Sequence, residues 1–319
     1  HDTLDALTTG KGNTAVGYQT LSAITTAPGN VAIGYQALKL NTSSDGNNIA
    51  IGSGSISTGT GGYYNVCIGT NTGGSFGNAN VGTCVLIGHV AGASINSTNS
   101  DSSIAIGRSA LNSLTAASVV ANVAIGYYAG EAITTGGANT LVGHRSGDVL
   151  TLASGSAFFG TNAGGTVTTG NMNIAIGYDA MNGAVTIGDN NIAIGVSAGD
   201  ALTSGKNNVL MGLDAGGAMT TGYENIGIGY LALGTGTNTG ARNTAIGYKA
   251  LEDITDGGYN TVVGSEAGKA LTTGDENIFI GQSAGNSTLE VQYAVCVGNG
   301  ITGVMTTAAN GSVFIGHTA

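Results

Sequence analysis

A pair of apolar residues followed by glycine returns every 17, 18 or 19 residues from one end of this chain to the other. The eighteen glycines that close this signature run from Gly17, Gly34 and Gly52 to Gly281, Gly298 and Gly316. Such a repeat means a stack of like units, because one unit of this length cannot bury its own apolar side. Counted from the reference glycine, position −1 is always apolar and mostly Ile, and position −3 is mainly β-branched, as in Val31, Ile49 and Ile104. That period of two predicts a short strand. Position +3 is Ala in thirteen copies, Ala37, Ala110 and Ala198 among them, and position +7 is apolar in most, as in Ile24, Leu202 and Ile254. Each repeat therefore reads as one coil: strand, glycine corner, short second strand, turn.

Composition removes the alternatives. With 58 Gly in 319 residues, long helices are disfavoured, since each interior Gly costs about 0.5–1 kcal/mol against Ala. Disorder is opposed by an apolar fraction of 41% placed at regular intervals. Only eight Lys and Arg stand in a chain of net charge −10, so no basic stripe exists for nucleic acid or an anionic membrane surface. No apolar run approaches the roughly 20 residues that cross a bilayer, so membrane insertion is not expected.

Two further positions carry structural expectations. Position −4 is Asn in thirteen copies, including Asn13, Asn30, Asn48, Asn122, Asn173, Asn191, Asn243 and Asn277. Stacked coil on coil, these predict an amide ladder along the stacking direction. Position −2 should face away from the Ile and Val rows and be polar in a lone solenoid, yet it is never polar. It is Ala in eight copies, with Leu86, Leu141, Phe158, Leu210, Phe279 and Phe314 among the others. A strand apolar on both faces is buried on both. Position −2 is accordingly expected to form the contact with another copy of the chain, in a symmetric oligomer.

Both ends fit inside a repeat: Ala6 to Gly10 match Ala201 to Gly205, and the last residue, Ala319, follows Gly316 by three. The sequence thus reads as a single array, 1–319, a window on a longer fibre.

The segments Asn30 to Leu38 (NVAIGYQAL), Asn173 to Met181 (NIAIGYDAM) and Asn243 to Leu251 (NTAIGYKAL) resemble the head repeats of YadA-like trimeric adhesins. They also resemble repeats of phage tail-fibre proteins. The resemblance spans essentially the whole chain and implies a homotrimeric, left-handed parallel β-roll with a role in attachment. The coil of 17–19 residues is longer than the usual adhesin head repeat, and no coiled-coil stalk, anchor or chaperone domain is seen, which favours the fibre reading.

Candidate chemistry gives way to the repeat. His1, His89, His144 and His317 all fall at position +1, a slot that Tyr18, Tyr35, Tyr127, Tyr178, Tyr230 and Tyr248 fill elsewhere. A shared slot explains the histidines without a metal, and they never fall in adjacent coils. The tyrosines read as corner residues, with an exposed aromatic row for sugars as the sharper alternative. Cys67 and Cys84 lie in successive coils, close enough in principle for a disulfide, though two buried thiols suit the slots better. Asp179, Asp214 and Glu266, all at position +2, could pair for polysaccharide cleavage, but no cleft surrounds them.

The expectation is an all-β, parallel β-solenoid of about eighteen coils, non-enzymatic and without cofactor. It would be extracellular or on a virion, partnered by itself and by a cell-surface glycan or protein receptor. Its role would be the structural shaft of a tail fibre or surface attachment fibre. A self-assembling extracellular filament or adhesin head is the second reading, and a polysaccharide-cleaving tailspike the third.

Overall fold

The computed structural model describes residues 2–40, 42, 44–58, 62–74, 76, 81–95, 102–115, 121–287, 289–301 and 309–317. The chain divides into two compact units, His1–Phe159 and Gly160–Ala319. Each is a parallel β-solenoid with one three-residue strand per coil at positions −3 to −1. Nine strands, from Thr14–Val16 to Ala157–Phe159, belong to the first unit, and nine, from Ile174–Ile176 to Val313–Ile315, to the second. No α-helix occurs among the described residues.

Within each unit every strand pairs in parallel with the next in sequence, in strict repeat register. Val31, Ala32 and Ile33 face Ile49, Ala50 and Ile51, and in the second unit Ile174, Ala175 and Ile176 face Ile192, Ala193 and Ile194. The spacing of reference glycines thus sets the ladder directly. The glycine itself is required: Gly177 has φ +137°, and a Cβ there would overlap the carbonyl oxygen of Gly195 one coil on.

The segment after the glycine was expected to hold a second strand, but it is a turn. Positions +2 and +4 adopt left-handed backbone, as in Gln36 (φ 56°) and Leu38 (φ 50°), which breaks the extended conformation. Bulky residues there cost of order 1 kcal/mol or more. Bonds between coils offset that cost: the N–H groups of Gln36 and Leu38 donate to the carbonyls of Tyr18 (2.9 Å) and Ser55 (2.9 Å).

The asparagines at −4 are buried and form the ladder. Asn208 Nδ2 donates to Asn191 Oδ1 (3.0 Å) and to the Gly222 carbonyl (2.8 Å), while its own Oδ1 accepts from the backbone N–H of Asn225 (3.0 Å). Asn30, Asn48 and Asn65 repeat the pattern in the first unit. Each amide therefore ties three coils and satisfies polar groups that burial would otherwise penalise.

Strand orientation corrects the expectation for position −2. Leu86, Leu141, Phe158, Leu210 and Phe279 are fully buried within their own coils, and Phe314 points the same way in the last strand, where it is half-buried. These six are core, not an outer contact, and no second chain could reach the first five. The reason is parity: the buried Asn at −4 and the residue at −2 share one face of the strand. The Ile and Val rows at −3 and −1 face outward.

Interior volume is shared between −2 and +4. Where +4 is large (Leu21, Leu38, Ile56, Leu111, Met181, Leu233, Leu251), −2 is Ala or, at Gly227, glycine. Where −2 is Leu, Phe, Val or Cys, the residue at +4 in the described coils is Gly, as in Leu210 with Gly216 and Phe279 with Gly285. A Cβ on Gly216 would lie 2.6 and 2.7 Å from the two Leu210 methyls. No described coil carries a large side chain at both positions, because the two meet in one close-packed cross-section.

Candidate functional site

The outer strand face carries the most distinctive surface. Positions −1 and −3 form two parallel rows along each unit, mostly Ile and Val with Thr at four −3 positions, aligned because every strand is in register. Ile33, Ile176 and Ile280 stay 39, 38 and 41% exposed, and the terminal Ile315 reaches 74%. Phe159, Met211, Ile49, Ile226 and Ile278 are exposed in the same two rows. A contiguous apolar stripe of this kind exceeds the scattered exposure normal for a monomer surface. Neither row contains a charged residue, so the face offers β-branched side chains at the coil spacing and little else.

The corner row at +1 is exposed as the sequence suggests, but its rings are largely turned on one another. Tyr18 stacks on Tyr35 with centroids 5.5 Å apart, Tyr230 on Tyr248 at 5.4 Å, and Tyr127 on His144 at 5.2 Å. Each ring in these pairs turns one face on a neighbouring coil; Tyr178 stands exposed, with no stacked ring beside it among the described residues. Beside Tyr127, the guanidinium of Arg108 lies over both Tyr127 and Tyr128, and that of Arg145 over Tyr128. These contacts knit the corners of successive coils. His1 lies outside the described residues.

Of the carboxylates weighed for hydrolysis, Asp179 is engaged in the same lattice. Asp179 Oδ1 accepts from Asn162 Nδ2 (2.8 Å) and Asn182 Nδ2 (3.0 Å), a structural use of the group. Burial raises the pKa of Asp200 above the ordinary carboxylate value, with Asp179 and Asp214 adding to the shift. No group of three or more His, Cys, Asp or Glu that could hold a metal ion occurs among the described residues. None of Cys67, Cys84 and Cys296 forms a disulfide, and all three are buried. Among the described residues no helix is long and apolar enough to cross a membrane.

The outward direction of the −3 and −1 rows is what the sequence reading missed. The signal was present in the reciprocal sizes at −2 and +4, which mark both as occupants of one interior. No family model, no curated protein and no solved structure matches this chain.

Proposed function

We propose that this chain is a non-enzymatic structural segment, the shaft of a homotrimeric attachment fibre exposed outside the cell or on a virion. The observation that carries this reading is the pair of uncharged, β-branched rows on the outer strand face. The occupant that fits them is a second copy of the same chain. Only an array with the same coil spacing can meet such rows tooth for tooth over many coils, and a closed ring of copies covers every face at once. Neither row carries a charged residue, so no like charges would face one another across such a contact. Burying the rows at about 25 cal/mol per Å² of apolar surface makes assembly the natural end state.

The attachment role rests on the likeness of the repeat to adhesin heads and tail fibres, and on an interior devoted wholly to stacking. The mass of the purified chain in solution, by sedimentation or light scattering, tests the reading. A stable species of three times 31.0 kDa is expected. A monodisperse monomer with the rows left open to water would sink it.

A further inference from the structure

The second unit bears a groove that the stacking does not need. It is an open depression of about 370 Å³ at the turn edge of successive coils, rimmed by Tyr223, Tyr259 and Tyr293 and by the carboxyl groups of Asp256, Asp275 and Glu276. Tyr259 and Tyr293 occupy the same slot, five residues before the reference glycine and two coils apart, and are 53 and 55% exposed. Two coils at the parallel-strand spacing amount to about 10 Å. Most other coils hold small or polar residues here, such as Ser102, Ala138, Asn190 and Asn207; Tyr64 is also aromatic but has Asn47 and Thr83 in this slot on either side, so two tyrosines two coils apart occur in this stretch alone.

The Tyr223 and Tyr259 rings are held in place before any ligand arrives, and Tyr293 is fixed at its backbone. Arg242, in the intervening coil, places its guanidinium over Tyr223 at 5.7 Å and over Tyr259 at 5.2 Å. Its Nε donates to Glu224 Oε2 at 2.7 Å, and one terminal nitrogen donates to the Tyr259 hydroxyl. Beneath them the backbone is locked coil to coil: Tyr259 N–H donates to the Ala241 carbonyl (2.9 Å), Tyr293 N–H to the Asp275 carbonyl (3.1 Å), and Gly258 N–H to Asp275 Oδ1 (2.7 Å). Platforms ordered in advance spare a ligand the entropy of ordering them.

We infer that this groove binds a neutral oligosaccharide chain lying along the stacking direction, with alternate sugar rings on Tyr259 and Tyr293 and hydroxyls donated to Asp256 and Glu276. Flat rings two coils apart match the repeat of an extended disaccharide, and sugar C–H faces stack on aromatic rings while their hydroxyls seek carboxylate acceptors. A peptide would need an apolar side-chain pocket, which these residues do not make. An anionic glycan would meet four carboxylates, counting Glu224, against the single Arg242. The groove lies at the edge of the outward strand face and is open in one chain. The proposal does not rest on the fibre reading, since a monomer would carry the same groove.

The test is isothermal titration of the intact chain, in whatever assembly it adopts, with cellohexaose, chitohexaose, mannohexaose and, as the acidic probe, oligogalacturonate. At least one neutral hexaose should bind saturably and the acidic probe should not. Tyr259→Ala and Tyr293→Ala should each weaken that binding about tenfold, while Tyr259→Phe and the distant Tyr18→Ala stay within about threefold of the parent. Circular dichroism of each variant checks the coil, and Tyr259→Phe keeps the ring should an alanine variant misfold. Absence of binding by every neutral probe at millimolar concentration overturns the inference. So does binding that survives both alanine variants, or tighter binding of oligogalacturonate.

Discussion

Phe279 fills the space that a side chain at Gly285 would need: a Cβ on that glycine would lie 2.8 Å from two carbons of the Phe279 ring. In the coil built on Gly247 the arrangement is reversed, with Ala245 at −2 and Leu251 at +4, both fully buried. The pair is one unit of volume, so a change at one position is expected to be compensated at the other. Phe279→Ala should cost about 3–5 kcal/mol in chemical denaturation. Ala245→Leu should cost about 1–3 kcal/mol by overpacking. The double variant Ala245→Leu with Leu251→Gly should recover most of that loss; simple additivity of the two single costs would contradict the shared-volume account.

The amide ladder makes a separate demand. Asn208→Ala removes the acceptor of the Asn225 N–H and the donor to the Gly222 carbonyl, both in buried surroundings. Leaving both unmet should cost roughly 2–4 kcal/mol by urea unfolding. Asn208→Ser should cost less, because a hydroxyl in this slot can accept the next N–H, as Ser103 Oγ does from Asn122 (3.3 Å). Equal losses in the two variants would mean that side-chain volume, rather than hydrogen bonding, sets the slot.

The outward rows can be altered without touching the interior. Ile176→Lys combined with Ile246→Lys changes two side chains that are 38 and 37% exposed. Circular dichroism and melting of the isolated chain should then change little, while the assembled species falls apart in sedimentation. Retention of the assembly would move the contact to another face.

Stability should hold up in mild acid. Burial raises the pKa of Glu131, Asp148 and Asp200 above their ordinary values, with nearby Asp148 adding at Glu131. A carboxyl whose folded pKa lies above its unfolded one binds its proton more tightly when folded. Its contribution is therefore full below the unfolded pKa and lost as pH climbs through the folded one. Thermal melts should show a midpoint at about pH 4.5 no lower than at about pH 7. A steep fall on acidification would mean that other, salt-bridged carboxylates dominate.

The thiols should be silent in the folded chain. Burial pushes the Cys67 thiol well above its usual value, with Cys84 adding to the shift, and pushes Cys296 up to about 11. At about pH 8, iodoacetamide should leave Cys67 unmodified until denaturant opens the coil. Because both shifts are upward in an acidic group, their contribution is present below the ordinary thiol pKa and lost as pH rises towards the folded values. Rapid alkylation under native conditions would show that the coil interior opens readily.

Much of this fold is legible in the residues because a solenoid's contacts repeat with the chain's own period. The spacing of Gly17, Gly34 and Gly52 predicts which strands pair and in what register, and Asn13, Asn30 and Asn48 predict the ladder. An alternating pattern with apolar residues on both faces does not say which face is inside, and for that reason the sequence alone points Leu86 and Phe158 outward. Two clues were available. Asn at −4 and the residue at −2 have the same parity, and Leu or Met at +4 occurs only opposite Ala or Gly at −2. The second strand expected after the glycine failed for a local reason: Gln36 and Leu38 turn left-handed, a conformation that their residue types disfavour and that bonds from neighbouring coils sustain. The groove at Tyr259 and Tyr293 was beyond reach, since those tyrosines lie outside the regular aromatic slot and meet Arg242 and Asp275 only when coils stack.

By itself, then, the sequence determined the period, the parallel register, the glycine corner and the buried amide column, because each depends on spacing along one chain. The tertiary structure alone decided that Ile and Val point to solvent while Ala, Leu and Phe point inward. The amide column at −4 is satisfied only when it is stacked inside the coils, strand parity carries −2 inward with it, and −3 and −1 are left on the outside.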